Sequence, residues 1–142
     1  MRRVGLISFV LSFALISSAP ASAQVAPSAV SAWVAAPTAG ATWAPAYVEL
    51  KNPSMYDVFV VSATSDAAAS VELRAASTGG AEPAVVPEFT VPAYSGVDAA
   101  TSAPHLRLVG LTRALAAGDT VAIILRTDNG DTLKVAAVVR AP

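Results

Sequence analysis

Thr120-Val121-Ala122-Ile123-Ile124-Leu125-Arg126-Thr127, then Asp128-Asn129-Gly130-Asp131, then Thr132-Leu133-Lys134-Val135-Ala136-Ala137-Val138-Val139-Arg140: this stretch reads as two strands around a turn. Side chains of a strand alternate between its faces, so Val121, Ile123 and Leu125 share one face, and Leu133, Val135, Ala137 and Val139 share one face of the next. Asn-Gly is the favoured centre of a tight hairpin because both residues tolerate positive φ. A hairpin with one apolar face cannot stand alone, so the rest of the chain has to cover it.

Outward from this hairpin the pattern repeats. Tyr47 to Asn52, Val58 to Ser62, Ser70 to Ala75, Phe89 to Val91 and His105 to Val109 are rich in β-branched, aromatic and Leu residues, and Gly, Pro, Asn or Ser mark nearly every junction. About seven short strands with turns every 8 to 12 residues predict an all-β fold: an antiparallel, immunoglobulin-like or cupredoxin-like β-sandwich in one domain. Trp33, Trp43, Tyr47, Phe59 and Phe89 are expected to fill its interior. Ala114 to Ala117, within Leu111 to Ala117, could form a helical turn before Gly118-Asp119. Residues 24–30, rich in Pro and Ala, read as a flexible leader to a domain over residues 31–142.

Met1-Arg2-Arg3, an apolar stretch from Val4 to Ile16 and the small residues Ala21-Ser22-Ala23 have the form of a secretory signal, with cleavage expected after Ala23. That stretch is shorter than the roughly 20 residues that span a bilayer, so no membrane association is expected after cleavage, and the protein is expected to be periplasmic or secreted. The sequence has no cysteine, which removes disulfides and a thiol-linked lipid and leaves packing to stabilise the fold. Without Arg2 and Arg3, seven basic residues face ten acidic ones, a formal charge of −3. The charges are scattered and no basic run is interleaved with aromatics, so nucleic acid is not an expected partner. A monomer of one domain is expected.

Local motifs add little chemistry. Asp128-Asn129-Gly130-Asp131 lacks the later acidic ligands of a calcium loop. Proline excludes Asn52-Pro53-Ser54 as a glycan acceptor, and Gly79-Gly80 lacks the Lys and the strand-to-helix setting of a phosphate loop. There is no thiol nucleophile, no Gly-x-Ser-x-Gly elbow and a single histidine, His105; Glu82 and Glu88 flank a proline-rich turn without a nucleophile beside them. No enzyme is expected.

Ala32-Trp33-Val34, Ala46-Tyr47-Val48-Glu49-Leu50-Lys51-Asn52-Pro53, Val71-Glu72-Leu73-Arg74, Val91-Pro92-Ala93, Pro104-His105-Leu106-Arg107-Leu108 and Gly110-Leu111 through Leu115 to Val121 resemble the PCu(A)C copper chaperone domain. The resemblance covers nearly the whole mature chain. It implies a cupredoxin-like sandwich that carries or buffers copper(I) in the bacterial periplasm, with a copper-handling or oxidase-assembly protein as partner. The family binds its ion through two His and two Met: a His ending the Val-Glu-Leu strand, a Met after a short hairpin, and then His-x-Met.

Carried onto this chain, the first His falls at Arg74, the hairpin Met at or near Pro83, the second His at His105 and the last Met at Arg107. Only His105 keeps a ligand. Copper(I) selects imidazole and thioether donors, proline offers none, and a guanidinium has no lone pair to give. Each arginine would instead repel a cation about 4 Å away by about 1 to 4 kcal/mol. Met55, the other soft donor of the mature chain, lies in the Asn52-Pro53-Ser54-Met55-Tyr56 turn, and nothing in the sequence brings it to His105. Two functions follow from the resemblance and the local chemistry: a copper chaperone-like protein with a degenerate site, or a metal-independent module that binds an acidic partner through Arg74 and Arg107. Ordinary pairing of these arginines with Glu72, Glu82 or Asp98 is the simpler expectation for them.

Overall fold

The computed structural model describes residues 26–77 and 79–141. The expected signal segment, residues 1–23, lies outside them, as do residues 24 and 25 of the expected leader. The described residues form nine strands: β1 (Ser28–Ala35), β2 (Trp43–Asn52), β3 (Val58–Ser65), β4 (Ala68–Arg74), β5 (Phe89–Val91), β6 (Ser95–Val97), β7 (His105–Leu111), β8 (Thr120–Thr127) and β9 (Thr132–Arg140). Their order in the sheet is β4-β7-β2-β1-β9-β8-β3-β5, with β6 pairing the far end of β2. Only Asp66 and Ala67 join β3 to β4, yet these strands lie near opposite ends of that order, so the sheet curls round into a nearly barrel-like sandwich.

The β8–β9 hairpin pairs in antiparallel register from Thr120↔Val138 to Arg126↔Thr132. Val121, Ile123, Leu125, Ala137 and Val139 all lie in the core, as their alternation requires. Its turn departs from the expected one. The Gly130 amide donates to Thr127 O at 3.0 Å and the Thr127 amide to Asp131 O at 3.0 Å. Gly130 has φ +82°, whereas Asn129 does not enter the positive region. This is the three-residue loop built on a type I turn and closed by a left-handed glycine, with Asp128 inside the loop; the Asp128 carboxylate accepts the Phe59 amide, which ties the turn to β3.

Residues 28–30, expected in the leader, begin β1, which is the central strand of the molecule. It pairs antiparallel with β2 and parallel with β9, through Trp33↔Val138 and Ala35↔Arg140. The sheet is therefore antiparallel except at this one seam. Parallel neighbours need a long crossover, and here the whole chain between β1 and β9 supplies it. Residues 112–119, the region of the expected helical turn, are irregular. Three alanines cannot offset helix nucleation, and Leu115 is drawn into the core instead.

The core is a single cluster in which Val34, Leu50, Val58, Val60, Val91, Leu106, Leu108, Val121, Ile123, Leu125 and Val139 are fully enclosed. The aromatics are mostly elsewhere. Phe89 is buried in this cluster, but Trp33 and Phe59 are half-buried and Trp43 is 43% exposed. Small aliphatic residues fill the narrow space between the layers, and alternation along β2 puts Trp43, Pro45 and Tyr47 on the side opposite Ala44, Ala46 and Val48.

Candidate functional site

The face opposite the core on β2, β7 and β4 carries Glu72, Arg74, His105 and Arg107. His105 opens β7 directly across from Arg74, the last residue of β4, and Arg107 stands across from Glu72 on one side and Pro45 on the other. Period-two alternation sends Leu106 and Leu108 into the core and leaves His105 and Arg107 on the same outer side. Residues 75–77, 79–88 and 98–104 of the connections fold over this face. They are held to each other by the Ser77 amide donating to Ser102 O, and to β1 by Trp33 Nε1 donating to Ala99 O at 2.8 Å.

The cover makes the site a buried one. His105 and Arg74 are nearly inaccessible, and the His105 ring packs 5.1 Å, centroid to centroid, from Tyr47, which packs 4.5 Å from Trp33. His105 Nδ1 lies 2.9 Å from Ala103 O. A carbonyl only accepts, so Nδ1 carries the proton and donates, and in the neutral ring Nε2 keeps its lone pair. Burial pushes the Tyr47 phenol above its ordinary pKa, partly opposed by the positive charge of Arg107.

Both arginines are engaged by the chain's own acceptors. Arg74 Nη2 pairs with Glu72, and its Nη1 donates to Pro83 O at 2.8 Å. Arg107 Nη1 pairs with Glu82 at 2.8 Å, and its guanidinium lies 4.1 Å over the Trp43 ring. Of the three carboxylates weighed from sequence, Glu72 and Glu82 are the partners. Arg74 Nε and Arg107 Nε remain buried without an acceptor. The positions 74, 83, 105 and 107 are thus gathered on one face. As a metal site it offers one donor, His105 Nε2, on a face shared with two guanidinium groups, and no cluster of three His, Cys, Asp or Glu among the described residues could hold an ion. Met55 lies in the turn after β2, beyond the β6-paired end of that strand, and is not part of this face.

A family model described as "Putative lipoprotein LpqE-like" matches residues 28–139, from the first strand to the last. The chain belongs to the LpqE-like family. "Putative lipoprotein Lxx21020" from Leifsonia xyli subsp. xyli (strain CTCB07) is 37% identical over 112 residues, which are 77% of this chain and 66% of that protein, so the LpqE-like chain spans just under two thirds of the length of that relative. Among solved structures, the copper-bound PCuAC domain from PmoF2 superposes with a TM-score of 0.72 at 22% identity, over 84% of this chain and 97% of that domain. CuI-DR1885 from Deinococcus radiodurans gives 0.64 at 31% identity, over 88% and 81%. The LpqE-like chain has the fold of the PCuAC domains.

Sequence reasoning placed Trp43 in the interior, where it is 43% exposed in this LpqE-like domain; Tyr47 is buried as expected, but on the outer side of β2 beside His105 rather than in the central cluster. The signal was available in the alternation of β2, whose Ala44, Ala46 and Val48 fill the inner face and leave Trp43, Pro45 and Tyr47 for the outer one.

Proposed function

We propose that this protein is an extracytoplasmic, non-enzymatic relative of the copper chaperones whose copper(I) site is degenerate, His105 being the one ligand kept. The fold is shared with copper-bound domains. The observation that carries the reading is that Arg74 stands across from His105, bonded to Pro83 O, with Arg107 on the same strand face, so that a guanidinium occupies two of the positions where the PCu(A)C resemblance places a donor. These residues do not fit a copper(I) ion, because the soft donors are absent and the adjacent charge is positive. In this reading the protein works beside a copper-handling or oxidase-assembly partner and does not hold the ion alone.

Competition for copper(I) against a chromophoric chelator under reducing conditions tests it. The natural chain is expected not to compete, whereas the triple variant Arg74→His, Pro83→Met, Arg107→Met is expected to bind one ion and to lose it on His105→Ala. Tight one-to-one binding by the natural chain, lost on His105→Ala, would overturn the proposal.

A second reading, a metal-independent module for an acidic partner, is favoured by one further observation. Arg107 is held by Glu82, whose side chain is 70% exposed, while buried N–H donors of both arginines lack acceptors. An incoming carboxylate that displaced Glu82 would gain a charge-assisted pair in a partly desolvated setting. Salt-sensitive binding of an acidic peptide, abolished when Arg74 and Arg107 are both changed to Gln, is the expected result.

A further inference from the structure

Away from this face, the turn after β2 and the link between β5 and β6 form a second built feature. Met55, Tyr56 and Tyr94 are 62%, 67% and 73% exposed, and together with Asp57 and Asp131 they line a cavity of about 380 Å³. Large side chains are presented to solvent here instead of being buried in the core.

The platform beneath them is fixed by one buried residue. Asn52 Nδ2 donates to Tyr56 O at 2.8 Å and to Val91 O at 3.0 Å, and its Oδ1 accepts from the Ser54 amide and hydroxyl. The two loops are then tied directly, by the Tyr94 amide donating to Ser54 O at 3.0 Å and by Asp57 Oδ1 accepting the Ala93 amide at 2.8 Å. Tyr94 adopts φ +54°, the one positive φ among the described non-glycine residues. A bulky residue in that region is strained, and glycine would be the residue of least cost there. A tyrosine held in a glycine conformation, with its ring in solvent, is a side chain retained for what it touches.

The charge at the rim says what that is. Among the described residues, Asp57 and Asp131 line the cavity and no basic residue does. Tyrosine faces attract cations, the thioether of Met55 adapts to varied shapes, and pre-tied loops reduce the ordering cost of binding. We propose that this cleft is a docking site for an extended lysine- or arginine-bearing segment of a partner protein, taken up between Tyr56 and Tyr94 with its charge against Asp57 and Asp131. The site is separate from the arginine-rich face and does not depend on whether copper binds there.

The test is fluorescence anisotropy of a labelled peptide of alternating lysine and proline, beside its glutamate–proline counterpart, titrated with the full chain. The basic peptide is expected to bind and the acidic one not to bind. Tyr94→Gly, which removes the backbone strain, is expected to keep the fold and to weaken binding about tenfold. Asp57→Asn with Asp131→Asn, which keeps the Asp57 acceptor and removes the charge, is expected to weaken binding and to abolish its salt dependence. Failure of the basic peptide to bind, equal binding of the acidic peptide, or unchanged binding by both variants would overturn the proposal. So would concentration-dependent dimerisation of the natural chain that is lost in Tyr94→Gly, which would make a second copy the occupant.

Discussion

At the residue scale, the candidate site is governed by what burial does to charge. The Tyr47 phenol is raised above its ordinary value of 10.0 because the ionised form would lose its hydration. An acid whose pKa is higher folded than unfolded adds stability below the unfolded value, and that stability is lost as pH rises through the folded one. Unfolding midpoints are therefore expected to fall as pH rises above 10.0, and Tyr47→Phe is expected to flatten that fall. The two ion pairs should differ in the same spirit. Glu72→Ala leaves the buried Arg74 guanidinium without its carboxylate and is expected to cost about 2 to 4 kcal/mol. Glu82 is largely solvated, so Glu82→Ala should cost under about 1 kcal/mol. Urea denaturation of both variants checks the order.

At the element scale, two glycines decide local geometry for different reasons. A Cβ at Gly96 would lie 2.0 Å from Leu50 O on the paired strand, so no side chain fits while β6 stays on β2. Gly96→Ala is expected to cost about 1 to 3 kcal/mol, and amide hydrogen exchange should show β6 released before the core opens. Gly130→Ala meets no neighbour within 4 Å, and its cost, about 1 kcal/mol, comes only from φ +82°. The β8–β9 hairpin was legible because Val121, Ile123 and Leu125 on one strand, and Leu133, Val135, Ala137 and Val139 on the other, recur at every second position around a Gly-containing turn. Strand β1 was not, since Ser28, Ala29, Ser31 and Ala32 have weak β-propensity and look like a leader until β2 and β9 close on either side. The three-residue β6 is equally silent in sequence, being a strand only through its pairing with Leu50 to Asn52.

At the scale of the whole molecule, β1 is the seam that joins the two halves, between β2 and β9. Deleting residues up to Ala35 should therefore abolish cooperative unfolding and leave a chain without near-ultraviolet circular dichroism, whereas deleting residues up to Ala26 should leave the midpoint unchanged. No helix among the described residues is long and apolar enough to cross a membrane. The sequence by itself determined the all-β class and the strands of the β8–β9 hairpin, because alternation and turn residues are local signals that survive in one dimension; positions 74, 83, 105 and 107 were linked there only by the family resemblance, and the pairing of β4 with β7 is what brings Arg74 beside His105. Tertiary structure alone decided that β1 is central, that the connections over β2 bury Tyr47 and leave Trp43 exposed, that Glu72 and Glu82 rather than Asp98 hold the arginines, and that Tyr56 and Tyr94 share a cleft. Each of these depends on which strand or loop lies alongside another, and a contact between residues far apart in the chain is set by the closing of the sheet, not by the neighbours of either residue in sequence.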